Sequence, residues 1–111
     1  DKVLPVVRTL LSERGEVLAL IKPQFEAGKE RVGKNGVVRD PLVHEDVIHK
    51  VLRVAEEQDF SPAGLTFSPV KGPKGNIEYL LYLRVRGDGQ RQMDEKSVHV
   101  IVTEAHRTLD G

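Results

Sequence analysis

Apolar positions recur at two spacings along the chain, and the switches between them mark out the elements. Val3, Val6, Val7, Leu10 and Leu11 repeat at helical spacing, Pro5 suits a first turn and Gly15 a terminator, so residues 2–14 are predicted to form a helix. Residues 16–22 (EVLALIK) follow as a short apolar run rich in branched side chains. That is the pattern of a strand buried on both faces of a parallel sheet. From 23 to 41 no period is sustained, and glycines and prolines interrupt the segment. Val43, Val47, Ile48, Val51, Leu52 and Ala55 then form one stripe, which predicts a helix over 42–58. Residues 64–70 read as a strand, 71–76 (KGPKGN) as a turn-rich loop, and 77–86 as a second strand. In that strand Ile77, Tyr79, Leu81, Leu83 and Val85 share one face, with Tyr82 and the charged residues opposite. The short loop predicts that the two strands are antiparallel neighbours. After a polar stretch (GDGQRQ), Val98, Ile101, Val102, Ala105 and Leu109 fall at helical spacing, with Asp94 and Glu95 at the start and His106 and Arg107 near the end. A strand through Val98–Val102 is the alternative.

The order helix, strand, helix, strand, strand, helix is that of an α/β chain. A helix–strand start without a preceding strand resembles half of a doubly wound sheet. Residues 1–86 are expected to form this unit, and 87–111 a linker and terminal helix. The strand ending at Lys22 is expected to leave an edge open where a parallel neighbour would pair, and with it a route to a homodimer. Ligands of such sheets bind beyond the carboxyl ends of the strands, where the irregular 23–41 segment begins.

Composition narrows the partners. The 111 residues suffice for one domain or part of one, and cysteine is absent, which removes disulfides, thiolate metal sites and cysteine nucleophiles. No apolar run approaches the roughly 20 residues that span a bilayer, so no membrane partner is expected. The chain opens on Asp1-Lys2-Val3, and neither a secretory leader nor a location outside the cytoplasm is expected. Basic and acidic side chains number 17 each, so a nucleic acid would have to be met by a local patch, not by bulk charge.

Three places can carry chemistry. Lys22 ends a buried strand, where its amine could abstract a proton or orient a hydroxyl; a snorkelling strand-end lysine is the plainer alternative. Glu78 opens the last strand and points away from the Ile77/Tyr79 face. If the two strands are adjacent, it can approach Lys22; otherwise it is an exposed strand-end carboxylate. Lys29, Arg31, Lys34 and Arg39 fall in one glycine-containing segment, with Lys71 and Lys74 close to Glu78 in sequence. Such cations suit phosphate contacts, and a solvated loop explains them equally well. His44, His49, His99 and His106 lack metal-ligand spacing and are expected on helix surfaces. No phosphate-binding glycine fingerprint and no nucleophile elbow is present.

The strings ALIKPQFEAGKERVGKNGVVRDPLVHEDVI (19–48) and SPVKGPKGNIEYLLYL (68–83) resemble the carboxyl-terminal part of the haemolysin A (TlyA) type of rRNA 2′-O-methyltransferases, within the wider FtsJ-like group. The similarity covers about residues 1–86; the tail carries no matching motif. The resemblance implies an α/β, Rossmann-like, S-adenosylmethionine-dependent methyltransferase fold of which this is the carboxyl-terminal half, with a mixed sheet ending in an antiparallel strand pair. It implies a ribosomal RNA substrate and a Lys-Asp-Lys-Glu tetrad in which Lys22 is the second lysine and Glu78 the glutamate. The other two members, the glycine-rich cofactor loop and an S4-type RNA-binding domain would all fall before Asp1. The 111 residues are therefore expected to be inactive alone. A non-catalytic RNA-binding or protein-interaction module that keeps the half-fold is the competing expectation.

Overall fold

A computed structural model of the chain describes residues 9–11, 16–33, 36–85 and 94–110. Its strands are β1 (Thr9–Leu11), β2 (Glu16–Ile21), β3 (Phe60–Phe67) and β4 (Tyr79–Val85), and its helices are α1 (Pro23–Glu26), α2 (Pro41–Glu57) and α3 (Glu95–Leu109). The strands form one sheet in the order β1-β2-β4-β3, and each pairing is antiparallel.

The expected pairing of the last two strands is present, and β4 inserts between β2 and β3. Four expectations about the amino-terminal part change. Of the helix anticipated over 2–14, residues 2–8 and 12–14 lie outside the described residues, and Thr9–Leu11 is a strand. Backbone pairing with the free edge of β2 satisfies hydrogen-bonding groups that helical spacing alone could not place. The parallel pairing expected of the Lys22 strand is not among the described pairings: β2 is antiparallel to both β1 and β4. β1 also covers that edge opposite Val17, Leu18 and Ala19, so the open edge is shorter than anticipated. Nor is β2 buried on both faces. Val17, Ala19 and Ile21 are buried while Leu18 is exposed, because the described helices pack on one face only.

That face holds a single core. Val17, Ala19 and Ile21 of β2 and Tyr79, Leu81 and Leu83 of β4 meet Val43, Val47, Ile48, Val51 and Ala55 of α2 and Val98, Val102 and Ala105 of α3. Each large apolar side chain removed from water in this way contributes about 1.5–3 kcal/mol. The tail is a helix, not a strand. Asp94 caps it by accepting from the Ser97 N–H at 2.9 Å, and its buried residues recur at i, i+4 and i+7. α2 starts in the same way, with Asp40 accepting from the Leu42 N–H and Pro41 in the first turn. It ends without glycine, through Asp59 at φ 65°, a left-handed conformation that aspartate tolerates better than most residues. β3 begins four residues before its expected start and ends three before its expected end. It runs through Pro62 because it is the edge strand and its register shifts between Pro62 and Gly64.

Candidate active site

The register of the β2–β4 pair sets two charged groups at one end of the sheet. Ile21 lies opposite Tyr79, so the residue after Ile21 and the residue before Tyr79 leave the pair at the same rim. These are Lys22 and Glu78, and Lys22 Nζ stands 3.8 Å from Glu78 Oε2. The glutamate is not the exposed strand-end carboxylate of the plainer reading. Glu78 is 6% exposed, and a buried carboxylate needs partners to offset its desolvation.

Gln24 supplies a second partner, its Nε2 donating to Glu78 Oε2 at 3.1 Å. Gln24 is placed by the single turn of α1, which starts at the buried Pro23 directly after Lys22; within it the Phe25 N–H donates to Lys22 O at 2.9 Å. Gly72 lies against the carboxylate from the other side. A Cβ built at that position would overlap the Glu78 carboxyl group. The loop carrying Gly72 is closed by its own backbone: Gly72 N–H donates to Asn76 O at 2.8 Å and Gly75 N–H to Gly72 O at 3.1 Å. Lys74 and Gly75 both adopt positive φ within it.

Asn76, which sequence reasoning did not single out, joins this loop to the irregular segment after α1. Its Oδ1 accepts from the Val38 N–H at 3.0 Å and its Nδ2 donates to Gly36 O at 2.9 Å. The side chain is 2% exposed. The available signal was an asparagine between a turn glycine and the apolar start of a strand, a place where side chain-to-backbone bonds are common.

His44 departs from its expected surface position. It is fully buried and spans α2, β4 and the segment before α2. Nε2 lies 2.8 Å from Val38 O and Nδ1 2.8 Å from the Tyr79 hydroxyl. A carbonyl can only accept, so Nε2–H donates to Val38 O, and in the neutral ring Nδ1 accepts from Tyr79 O–H. Burial favours that neutral form, pulling the ring's pKa down to about 4 despite the Val38 bond. Burial likewise pushes the Tyr79 phenol upward. The half-buried His106 ring sits 4.7 Å from that of His44, and its Nδ1–H donates to Val102 O at 2.9 Å. His44 was legible in principle, since it falls on the stripe of Ile48, Val51 and Ala55 at i+4, i+7 and i+11. His99 is exposed and pairs with Glu45 at 2.8 Å.

The expected cations are not drawn into one patch. Arg31 pairs with Asp46 at 2.6 Å and Lys71 with Asp110 at 2.5 Å. Arg39 and Lys74 are exposed, and the Lys74 ammonium reaches over Gly36. Lys29 lies in a short 3-10 turn, and Lys34 lies outside the described residues. Two shallow concavities flank α1: one lined by Gln24, Phe25, Gly28 and Val32, the other by Glu26, Arg31, Asp46, His49, Lys50 and Arg53 among others. In the second, partial burial raises the Glu26 carboxyl and Lys50 opposes the shift. Among the described residues no cluster of three metal-ligating side chains occurs, and no helix is long and apolar enough to cross a membrane.

Comparison with known proteins identifies the family of the chain. The profile of the FtsJ-like methyltransferase family matches residues 1–85. The chain is 48% identical over 109 residues to YqxC of Bacillus subtilis (strain 168), covering 96% of this chain and 39% of that protein. It is 38% identical over 104 residues to the 16S/23S rRNA (cytidine-2′-O)-methyltransferase TlyA of Mycobacterium tuberculosis (strain H37Rv), covering 92% of this chain and 39% of that one. A solved structure of a haemolysin-like protein from Streptococcus thermophilus superposes with a TM-score of 0.80 at 42% identity, over 91% of this chain and 36% of the other. The chain thus spans about two fifths of the length of the curated relatives it matches.

Proposed function

We propose, from a chain that belongs to the FtsJ-like methyltransferase family, that these residues are the carboxyl-terminal catalytic part of an S-adenosylmethionine-dependent methyltransferase acting on ribose 2′-hydroxyls of ribosomal RNA. The observation that carries this reading is the 3.8 Å approach of Lys22 and Glu78 at one rim of the sheet. A ribose hydroxyl is a poor nucleophile while it keeps its proton. An amine at a strand end can orient that hydroxyl and take or organise its proton. Glu78 holds the Lys22 side chain in place, and Gln24 and Gly72 hold Glu78.

When bound, the cofactor supplies an electrophilic methyl group. The described residues do not form a cradle for it by themselves. The positive-φ glycines Gly28, Gly36 and Gly75 follow no strand in a nucleotide-binding pattern, and the concavities near α1 are shallow. No residue of this chain is therefore assigned to cofactor binding, and the 111 residues alone are not expected to turn over. The RNA backbone is met by Arg39 and Lys74, which make no ion pair among the described residues, and by Lys29 and Lys34 from the same irregular segment. Arg31 and Lys71 join them because exposed ion pairs are weak enough for phosphate to compete.

The test is Lys22→Ala in the intact gene product. Methyl transfer to rRNA is expected to fall about 100-fold or more, with cofactor affinity by calorimetry nearly unchanged. Turnover equal to the parent protein would remove Lys22 from the mechanism. Absence of cofactor binding by the intact gene product would favour an RNA-binding or protein-interaction module.

A further inference from the structure

We propose that Phe25 is a stacking platform for the base of an unpaired nucleotide whose ribose is presented to Lys22, an inference that rests on the RNA methyltransferase reading above. The chain has three phenylalanines, two tyrosines and no tryptophan. Phe60 and Phe67 pack against the core, Tyr79 is fully buried, and Tyr82 is half-buried beside Arg84. Of these five residues Phe25 alone is exposed, at 68%. Its ring contributes little to the fold, yet its backbone is held. The Phe25 N–H donates to Lys22 O, the Ala27 N–H donates to Pro23 O, and Pro23 is buried beneath the turn.

The position of the ring relative to the lysine identifies the occupant. Lys22 Nζ stands 5.8 Å from the ring centroid, within range of a cation–π contact. A hydroxyl hydrogen-bonded to that nitrogen sits about 3 Å from it. The base of the same nucleoside extends a few ångströms further and falls within reach of the ring face. The concavity lined by Gln24, Phe25, Gly28 and Val32 leaves room beside the ring. Every nucleobase has a π face, so a lone phenylalanine holds a base without reading its identity. A paired base is stacked on both sides and unavailable to the ring, so the ligand is single-stranded RNA or a nucleotide turned out of a helix.

The platform is tested by Phe25→Trp in the intact gene product, with the added indole emission read as the difference from the parent. A short single-stranded oligoribonucleotide is expected to quench that emission, and an abasic oligomer of equal length and charge is not. Phe25→Leu, which keeps an apolar side chain but no ring, is expected to weaken binding of the base-bearing oligomer about tenfold and to leave the abasic one unchanged. Equal quenching by both oligomers, or no quenching because another segment or protein covers the ring, overturns the platform. Methyl transfer by the parent protein is measured alongside. Transfer without base-dependent quenching overturns the platform alone. Base-dependent quenching without transfer removes the catalytic reading and retains Phe25 as a base contact.

Discussion

The Glu78 carboxylate occupies the space into which residue 72 would project a Cβ, so the two positions exclude each other's side chains. Gly72 is needed for this vacant volume and not for an unusual backbone angle, since it is absent from the positive-φ glycines. Gly72→Ala should therefore displace Glu78 from Lys22 and Gln24. The expected cost is about 1–3 kcal/mol of stability from overpacking, read from urea midpoints. Methyl transfer should fall more than tenfold in the material that remains folded.

Glu78→Gln separates charge from shape. The amide oxygen can still accept from Gln24 Nε2, but the charge opposite Lys22 is gone. Methyl transfer is expected to drop by one to two orders of magnitude, most of it in kcat, with RNA affinity in a filter-binding assay within twofold of the parent. A loss of RNA affinity equal to the loss of turnover would assign Glu78 to binding instead.

His44 should make stability depend on pH in one direction. Its folded-state pKa, about 4, lies below the ordinary 6.5. Between these values the unfolded chain binds the proton more readily than the folded one. The contribution is complete above about pH 6.5 and is lost as pH falls toward 4, by on the order of 3 kcal/mol in total. Denaturation midpoints at pH 7.5 and 5.0 check this. His44→Leu should lower stability at pH 7.5, because the Val38 carbonyl and the Tyr79 hydroxyl lose their partner. The same substitution should flatten the dependence between the two pH values.

Asn76→Ala should be among the more damaging substitutions outside the apolar core. It leaves the buried Val38 N–H without its partner, at about 1–3 kcal/mol, and removes the donor from the part-buried Gly36 O at a smaller cost. Asn76→Asp keeps the acceptor for Val38 but sets a buried carboxylate oxygen against Gly36 O, so at neutral pH its melting temperature should fall at least as far as that of the alanine variant. Amide exchange at Val38 should accelerate in the alanine variant only.

Much of the architecture was readable because it is written in short-range periodicity. The stripe through Val43, Val47, Ile48 and Val51 and the one through Val98, Val102 and Ala105 specify their helices wherever these residues sit in the fold. The alternation from Ile77 to Leu83 specifies the buried face of β4 in the same way. Lys22 and Glu78 could be named as candidates because each adjoins the end of a strand, and the quoted motifs supplied their pairing as an implication of resemblance.

The tertiary structure decided what no local pattern contains. Thr9–Leu11 became a strand by pairing with the nearby β2, and β2 acquired its other antiparallel neighbour, β4, from far along the sequence. His44 went inside because a partner hydroxyl lay 35 residues away on another element, and Asn76 did so because two orphan backbone groups lay 38 and 40 residues away. Polarity along a sequence reports what a side chain would do in water. Whether a polar group is buried depends on a partner that only the folded chain brings within hydrogen-bond distance.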